Sequence, residues 1–567
     1  MQNKENVFEL PIEFLKNKSS VLENLKNDLE LVNTIDPSNQ YIYNYVFNPQ
    51  TDLGNKCISS WSKYYTTNKT FLKESQDLYK NIGKIPFEKC IIENMLKSWR
   101  EIRGQNNFLE KYQFIEWEKL KWLNESSIFL TILSFYNISA PVLQLVAPFF
   151  ILLVPFAVLK VMKLPISWET YYKILIENIK HHAVGKLILS FNSVSFGQKI
   201  YILFCVGMYL YNIYQNIISC YRFYKNSYYI CNQFETINLY LDYTIEKIKY
   251  LKSITNKYSS YKPFNHYLTE YQHKIQHLHN TIRSLPKNNS KVSKILYVGR
   301  LMKHFYILYD SEELENIMNF TFGFHGYIDT ILGIHKNITH KKINKCKFSK
   351  KLCFKLTNMY HPSIEKPIKN TIDINKNIII TGPNAAGKTT SIKATIINLL
   401  LTQQIGFGFF DKCTTGTFDY IHCYLNIPDT CSRDSLFQSE ARRCKNILTT
   451  IEKNYTKRHF CIFDELYSGT NPYEAISSAY SYLDHISKNK NVRFLLTTHY
   501  IKLCELFKTN DKIKNKSMKT IITNNNPIYT YKMINGISII KGGVSVLKNL
   551  NYPDKIINLT TTILEKL

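Results

Sequence analysis

Residues 378–390 read Ile-Ile-Ile-Thr-Gly-Pro-Asn-Ala-Ala-Gly-Lys-Thr-Thr, and this stretch decides the fold of the C-terminal part of the chain. An apolar strand runs into the pattern Gly-x-x-x-x-Gly-Lys-Thr between Gly382 and Thr389. Such glycines let successive backbone N–H groups turn inward around phosphate oxygens, the lysine reaches the outer oxygens, and the threonine hydroxyl is a Mg²⁺ ligand. Apolar residues at helical spacing follow, so the positive end of a helix also points at the anion. The stretch predicts a loop that binds a nucleoside triphosphate.

The predicted ATP contacts extend along the whole loop. We expect the following residues to bind the nucleotide: Gly382, Pro383, Asn384, Ala385, Ala386, Gly387, Lys388, Thr389 and Thr390. Lys388 is also expected to act in catalysis, because its charge would lie on the phosphoryl group that is transferred.

Two further strands end in polar residues that suit the same chemistry. The apolar run Phe460–Phe463 is followed by Asp464 and Glu465, which would lie at the carboxyl edge of a sheet. We expect Asp464, with the loop threonine, to hold Mg²⁺, and Glu465 to orient and deprotonate the attacking water. The run Phe494–Thr497 leads to His499, which is expected to hydrogen-bond toward the terminal phosphate. The sequence thus predicts a Mg²⁺-dependent ATP hydrolase.

Composition limits the partners and the compartment. Lys and Arg exceed Asp and Glu by 28 over 567 residues, a balance that suits DNA or an anionic membrane face. The first fifteen residues mix charges into apolar positions and do not resemble a signal peptide, and the 13 cysteines include no C-x-x-C pair. We therefore expect an intracellular, reducing compartment.

The pattern along the chain predicts several domains. Helical periodicity over 1–125 indicates a helical N-terminal domain, and long helical periodicity returns over 223–340 as a connector. From 341 to 567, short apolar strands alternate with helices, which predicts an α/β domain with a mainly parallel sheet. In this last domain, a hairpin is expected at Asn535-Gly536, with Tyr529–Ile534 and Ile537–Ile540 as its strands.

The segment 126–222 contains two uncharged apolar stretches, 126–159 and 200–221. Each is long enough for about twenty residues to cross a hydrocarbon core, and together they would form a membrane hairpin. Three prolines in the first stretch and the lysines between the stretches speak against simple spanning. A pair of buried core helices and a re-entrant or surface-lying hairpin therefore remain as alternatives. With a membrane hairpin, the ATPase domain is expected in the cytosol.

Taken together, the motifs resemble the ATPase domain of the MutS family of DNA mismatch-repair proteins. The resemblance rests on Thr-Gly-Pro-Asn-x-x-Gly-Lys-Thr at 381–389, on Asp-Glu-Leu-Tyr-Ser-Gly-Thr at 464–470, on Thr498-His499 and on Ser-Leu-Phe-Gln-Ser-Glu at 435–440. His361-Pro362 resembles the segment that borders the adenine, and Gly326–Asp329 is a fainter echo on a preceding helix. The similarity covers about 220 residues, from roughly Phe348 to the C-terminus.

This resemblance implies an ABC-type P-loop domain in a homo- or heterodimer. His361 would contact the adenine, and Ser435 would be offered to the nucleotide of the opposing subunit while Lys388 and Glu465 act in their own. ATP binding and hydrolysis would then change a dimeric clamp on mismatched or branched DNA, in repair or genome maintenance.

The chain also departs from the full-length family pattern. Only Phe108-Leu109-Glu110 and Phe114-Ile115-Glu116 are candidates for the family's mismatch-reading element, and neither follows a glycine-rich strand. An alternative function is therefore a membrane-tethered mechanochemical ATPase that acts on a protein partner. A transport ATPase would need a Leu-Ser-Gly-Gly-Gln-like signature between Thr389 and Asp464, where none occurs.

Overall fold

The computed structural model describes most of the chain as two compact units. The described residues are 8–104, 107–162, 167–181, 185, 187–188, 191, 195–285, 293–425, 435–523, 526–540, 544, 547–548 and 550–566. The first unit combines Met1–Phe87, Lys247–Glu270 and Asn319–Leu567, and the second combines Glu88–Glu246 and Tyr271–Met318. The division of the chain into four consecutive segments stays a prediction. It rests on composition along the chain, whereas the two units are defined by how compactly the chain folds.

Helices make up most of the described residues before 340. The α-helices are α1 Glu23–Asp28, α2 Ile42–Phe47, α3 Asp52–Trp61, α4 Lys69–Asn81, α5 Lys89–Arg103, α6 Phe108–Lys111, α7 Ser127–Val161, α8 Trp168–His181, α9 Phe196–Thr255, α10 Lys262–Arg283, α11 Ser293–Asp310, α12 Glu312–Thr339, α13 Lys388–Gln404, α14 Leu436–Lys453, α15 Pro472–Ser487, α16 Ile501–Leu506 and α17 Asp554–Lys566. Short 3₁₀ helices cover Pro11–Phe14, Ile82–Lys84, Glu118–Glu125 and Ser259–Tyr261.

The strands form three sheets, all in the first unit. They are β1 Lys18–Ser20, β2 Tyr64–Thr66, β3 Asn344–Phe348, β4 Phe354–Met359, β5 Asn370–Asp373, β6 Asn377–Thr381, β7 Phe407–Gly408, β8 Lys412–Thr415, β9 Tyr420–Tyr424, β10 His459–Asp464, β11 Val492–Thr498, β12 Ile513–Thr523 and β13 Asn526–Asn535. The first two pair with each other, and a second sheet has the order β5-β4-β8-β3-β7. The third and largest has the order β13-β12-β6-β11-β10-β9.

The largest sheet positions the predicted nucleotide loop. Its pairs β9–β10, β10–β11, β11–β6 and β6–β12 are parallel, whereas β12–β13 is antiparallel, so the sheet is mixed. Strand β6 is buried at all five positions, as expected for a strand covered on both faces. The predicted strands at 378–381, 460–463 and 494–497 are confirmed within one or two residues at each end. Because parallel strands share one carboxyl edge, the residues that follow β6, β10 and β11 are brought together.

The predicted hairpin at Asn535-Gly536 is wrong. Residues 529–534 do form a strand, but they belong to β13, which pairs with the preceding strand β12 and not with 537–540. Gly536 has a φ of +114°, so it turns the chain at the end of β13. Beyond that turn, the Ser538 N–H donates to Thr381 Oγ1 at 2.9 Å, at the end of β6. The Asn-Gly pair therefore ends a strand, and the residues that follow it turn toward the end of β6 instead of pairing with β13.

Buried polar side chains connect the N-terminal segment to the nucleotide-loop helix within the first unit. At the end of α13, Gln404 accepts from the Tyr43 hydroxyl at 2.8 Å and donates to the carbonyls of Trp61 and Tyr64 at 2.9 and 3.1 Å. On α12, Asp329 accepts from the N–H and the hydroxyl of Thr51 at 2.8 and 2.7 Å. The segment Gly326–Asp329, which resembles the family only faintly, thus contributes Asp329 to a contact within the first unit.

In the second unit, the two uncharged stretches lie on long helices. The first forms most of α7, which continues through Pro141, Pro148 and Pro155 without a break. The second lies in the N-terminal part of α9. Among the described residues, one segment is long and apolar enough to cross a membrane, Ser127–Val146, and only 17% of its most apolar window is buried. Most of this window is therefore not buried within the described residues of the chain.

Candidate nucleotide site

The loop between β6 and α13 forms the wall of a cavity of about 640 Å³. Gly387 has a φ of +88°, and a Cβ there would come within 3.1 Å of the Tyr531 ring. The left-handed backbone therefore favours glycine, and a Cβ would also crowd the ring. Ala385 also has a positive φ of +63°. Two residues of the loop thus have left-handed backbone conformations.

Lys388 directs its charge back over the loop. Its ammonium donates to the carbonyl oxygens of Gly382 and Pro383 at 2.9 and 3.2 Å and to Asn384 Oδ1 at 3.3 Å, and it lies 3.7 Å from Glu465 Oε1. The side chain is 5% exposed. Burial lowers the pKa of Lys388, and the two neighbouring carboxylates oppose that shift. A buried cation held in this way is a strong site for phosphate oxygens.

The end of β10 brings two acids to the same edge. Asp464 accepts hydrogen bonds from the hydroxyls of Thr389, at 2.9 Å, and Thr497. Burial raises the pKa of Asp464, while these two hydroxyls act in the opposite direction. The paired hydroxyl and carboxylate oxygens are the hard donors that Mg²⁺ prefers. Thr497, which the sequence analysis did not assign, holds the carboxylate in place.

The second acid, Glu465, lies between a lysine and a histidine. Its Oε1 atom is 3.6 Å from His499 Nδ1, and its backbone has a φ of +50°. The His499 imidazole holds the pKa of Glu465 below its usual value, although burial acts to raise it. A non-glycine residue in the left-handed region is uncommon and is a feature of functional sites. The carboxylate is thus kept ionised at the mouth of the phosphate loop.

Apolar and aromatic side chains also line the cavity. Its wall includes His361 and Tyr531, together with Met359, Tyr360, Ile364, Pro367, Ile368 and Ala394. Burial lowers the pKa of His361 to about 4, so its imidazole is neutral near pH 7. A neutral ring in an apolar wall suits a flat heteroaromatic base. Sequence reasoning found His361 but missed Tyr531, which comes from the edge strand β13 and has no motif around it.

The structure brings most predicted site residues to this cavity. Its wall includes His361, Asn384, Ala385, Gly387, Lys388, Thr389, Thr390, Asp464 and Glu465. Gly382, Pro383 and Ala386 belong to the same loop, and His499 contacts Glu465 from the adjacent strand end.

Ser435 does not line the cavity. It is the N-cap of α14, where its hydroxyl accepts from the Gln438 N–H at 3.3 Å and its own N–H donates to Gln438 Oε1 at 3.0 Å. On the same helix, Glu440 is 3% exposed and accepts from the N–H and hydroxyl of Ser468, both at 3.1 Å, and from the Gly469 N–H at 3.2 Å. The capped helix is therefore fastened to the loop that follows Glu465.

Comparisons with known proteins agree with this geometry. Residues 378–567 match the family model for MutS domain V. DNA mismatch repair protein MutS of Clostridium perfringens is 34% identical over 226 residues, which are 38% of this chain and 24% of the relative. The protein of the same name from Phocaeicola vulgatus is 32% identical over 221 residues, 36% of this chain and 25% of the relative. The chain thus spans about a quarter of the length of the curated relatives it matches.

Proposed function

Because residues 378–567 belong to the MutS family as its domain V, we propose that the protein is a MutS-like ATPase that acts on DNA. The observation that carries the proposal is the meeting of Lys388, Thr389, Asp464 and Glu465 at one edge of a buried sheet. This is the arrangement that phosphoryl transfer requires: a cationic loop, a metal-holding acid and a second acid for water. The domain is an ABC-type P-loop fold in this proposal.

Each side chain has a defined task in the proposed hydrolysis of ATP. The Lys388 ammonium neutralises the terminal phosphate oxygens, and Glu465, kept ionised by its neighbours, orients the attacking water and takes its proton. Thr389 and Asp464 would hold Mg²⁺, which supplies charge neutralisation on the phosphate oxygens. His499 positions Glu465 and donates toward the terminal phosphate. His361 and Tyr531, which also line the cavity, hold the adenine.

The proposed assembly is a dimer in which Ser435 serves the nucleotide of the partner. Three observations support it: Ser435 is exposed, lies outside its own cavity and begins a helix of 18 residues. The N-terminus of such a helix carries unpaired N–H groups and a positive dipole end, which suit phosphate oxygens. The excess of 28 positive charges supports a polyanionic partner, which we propose to be mismatched or branched DNA.

Three variants test the chemistry. Lys388→Ala is expected to abolish nucleotide binding, because it removes the buried cation. Glu465→Gln is expected to bind Mg-ATP and to lose turnover by about 100-fold or more, since the amide cannot take a proton. Glu452→Gln, a change of the same chemistry at an exposed position, serves as the control. Hydrolysis at the parental rate by Glu465→Gln would refute the assignment of the base.

The DNA partner is tested separately. We expect ATPase activity to rise with mismatched or branched duplex above its level with perfect duplex, and DNA affinity to fall steeply between 50 and 200 mM salt, roughly tenfold or more. ATPase activity that is the same with every DNA at low salt would remove DNA from the proposal and leave the hydrolase intact.

A further inference from the structure

The uncharged helices of the second unit form an antiparallel hairpin. The Tyr209 hydroxyl donates to the Gln144 carbonyl at 3.0 Å, and Cys220 Sγ lies 3.8 Å from the Ile138 carbonyl. As residue numbers rise along α9, the numbers of the residues contacted on α7 therefore fall. This register places the stretch 200–221 beside the middle of the stretch 126–159. The two contacts span residues 138–144 of α7 and 209–220 of α9, so the charge-free stretches lie side by side there. Each stretch has about the twenty residues that a helix needs to cross a bilayer's hydrocarbon core.

Apolar side chains on α7 are exposed around most of the helix. Val142, Leu143, Leu145 and Val146 are exposed although they are nearly consecutive, and Phe150, Leu153, Val154, Phe156 and Val158 continue the pattern. At 3.6 residues per turn, these positions cover roughly 220° of the circumference. A core helix or a helix in a protein groove would present a narrower apolar stripe.

The part of α9 that lies beside α7 also exposes apolar side chains around much of its circumference. Its exposed apolar residues are Ile200, Tyr201, Leu203, Phe204, Met208, Leu210, Tyr211, Tyr214, Ile217 and Tyr221, and they cover roughly 200°. The remaining arc of α9 faces α7. Asn212 and Gln215 make this stretch less apolar than Ser127–Val146, but they are uncharged. Such amides occur in membrane helices, where they hydrogen-bond to neighbouring helices. The hairpin therefore exposes apolar surface on nearly every side.

Charges and aromatic residues mark both ends of the hairpin. Lys160 and Lys199 bound the two stretches at the tip, and Arg222 bounds the second stretch at the base. Near the base, Gln113 bridges the helices, accepting from Asn137 at 2.7 Å and donating to Ser219 at 3.3 Å. Exposed tryptophans precede α7, at Trp117 and Trp122, and begin α8, at Trp168. Polar groups and Trp residues at both ends of an apolar span are typical of membrane–water interfaces.

From these observations we infer that α7 and the N-terminal part of α9 cross a lipid bilayer as a two-helix hairpin. Lipid accounts for the exposure around both helices at once, whereas a protein partner would cover one face. The tip, which includes the amphipathic helix α8, lies at the far interface, and the chain before α7 and after the hairpin stays on one side. The inference concerns the second unit alone and does not depend on the proposed ATPase function.

Flotation of the full-length chain tests the inference. The chain is synthesised without detergent in the presence of vesicles of phosphatidylcholine and phosphatidylglycerol at 3:1, floated, and washed with carbonate at pH 11 or with 1 M NaCl. We expect it to float and to resist both washes. A chain that stays soluble and monodisperse without vesicles, or that is released by either wash, would overturn the inference.

A matched pair of variants locates the effect in the hairpin. The double variant Leu143→Lys, Leu210→Lys places two charges at exposed apolar positions of the hairpin, and the wash-resistant fraction is expected to fall about tenfold or more. Leu239→Lys changes an equally exposed leucine of α9 outside the charge-free stretch and is expected to leave that fraction unchanged. Equal retention of the double variant and the control would contradict insertion.

Trypsin added to the intact vesicles distinguishes a crossing hairpin from a surface-lying one. We expect the ATPase domain to be digested while the tip, with Lys173 and Lys180, is protected until detergent is added. Digestion of the tip at the same rate as the ATPase domain would overturn the crossing.

Discussion

Replacement of Glu440 by Gln tests whether the helix capped by Ser435 supports the catalytic loop. Glu440 lies outside the cavity, but its two oxygens accept three hydrogen bonds from Ser468 and Gly469. These residues follow Glu465 and Tyr467, whose backbones both have positive φ, +50° and +59°. Positive φ at non-glycine residues costs on the order of 1 kcal/mol each and persists only where surrounding contacts hold it. Glu440 supplies such contacts.

The expected destabilisation of the loop follows from these hydrogen bonds. A glutamine at position 440 has one oxygen and one NH₂ group, so in its better orientation the NH₂ group faces the Gly469 N–H. An unsatisfied buried donor costs about 1–3 kcal/mol, and the two remaining bonds lose their charge assistance, at about 0.5 kcal/mol each. The loop is thus destabilised by about 2–4 kcal/mol. If the lower figure adds in full to the activation free energy because Glu465 is mispositioned, kcat falls about 30-fold.

The assay separates positioning from binding. Steady-state ATP hydrolysis gives kcat, and fluorescence titration with a labelled ATP analogue gives the nucleotide affinity. We expect a fall of about tenfold to 100-fold in kcat and a change of less than about threefold in affinity. The control Glu452→Gln lies on the same helix, where its carboxylate is 58% exposed, and should change neither value. A folded Glu440→Gln protein with kcat within twofold of the parent would refute the reasoning.

Further predictions follow from the buried polar groups of the first unit. Gln404→Leu should lower the free energy of unfolding by about 2–4 kcal/mol, measured by urea denaturation, because it leaves the Tyr43 hydroxyl and the Trp61 carbonyl without their buried partner. The pKa of His361 is about 4 in the folded chain and about 6.5 when unfolded, so its contribution to stability is present above pH 6.5 and is lost as the pH falls toward 4. His361→Gln should flatten the fall of the melting temperature over that range. Asp464→Asn should weaken Mg²⁺-dependent nucleotide binding about tenfold or more while leaving metal-free binding unchanged, measured by titration with and without a chelator.

The parts of the site that could be predicted from the sequence are those set by local order. A strand, a glycine loop and a helix are consecutive between 377 and 404, and the strand that precedes Asp464 is a continuous apolar run. The carboxyl-edge rule for parallel strands then brings the acids beside the loop. No distant contact is needed for this inference, which explains why the predicted strands agree closely with the structure.

The features that sequence reasoning missed depend on distant partners. Tyr531 reaches Gly387 only because β13 pairs with β12 at the edge of the sheet. The Asn535-Gly536 pair has the composition of a tight hairpin turn, but Ser538 bonds to Thr381 at the end of β6, so the chain does not fold back along β13. A local preference for a tight turn does not decide the strand pairing, which depends on the whole sheet. The prolines of α7 do not end the helix either, although each lacks the N–H that an intrahelical hydrogen bond needs.

Glu465 lies in a short segment that contacts both the cavity and α14. Its side chain faces Lys388 and His499 in the cavity, and the residues that follow it are held by Glu440 on α14. A change of charge at the terminal phosphate would alter the environment of Glu465, whose Oε1 atom lies 3.7 Å from the Lys388 ammonium. Any movement of its strained backbone acts on Ser468 and Gly469 and therefore on α14, whose first turn is capped by Ser435. In the proposed dimer, this serine would carry such a movement to the partner.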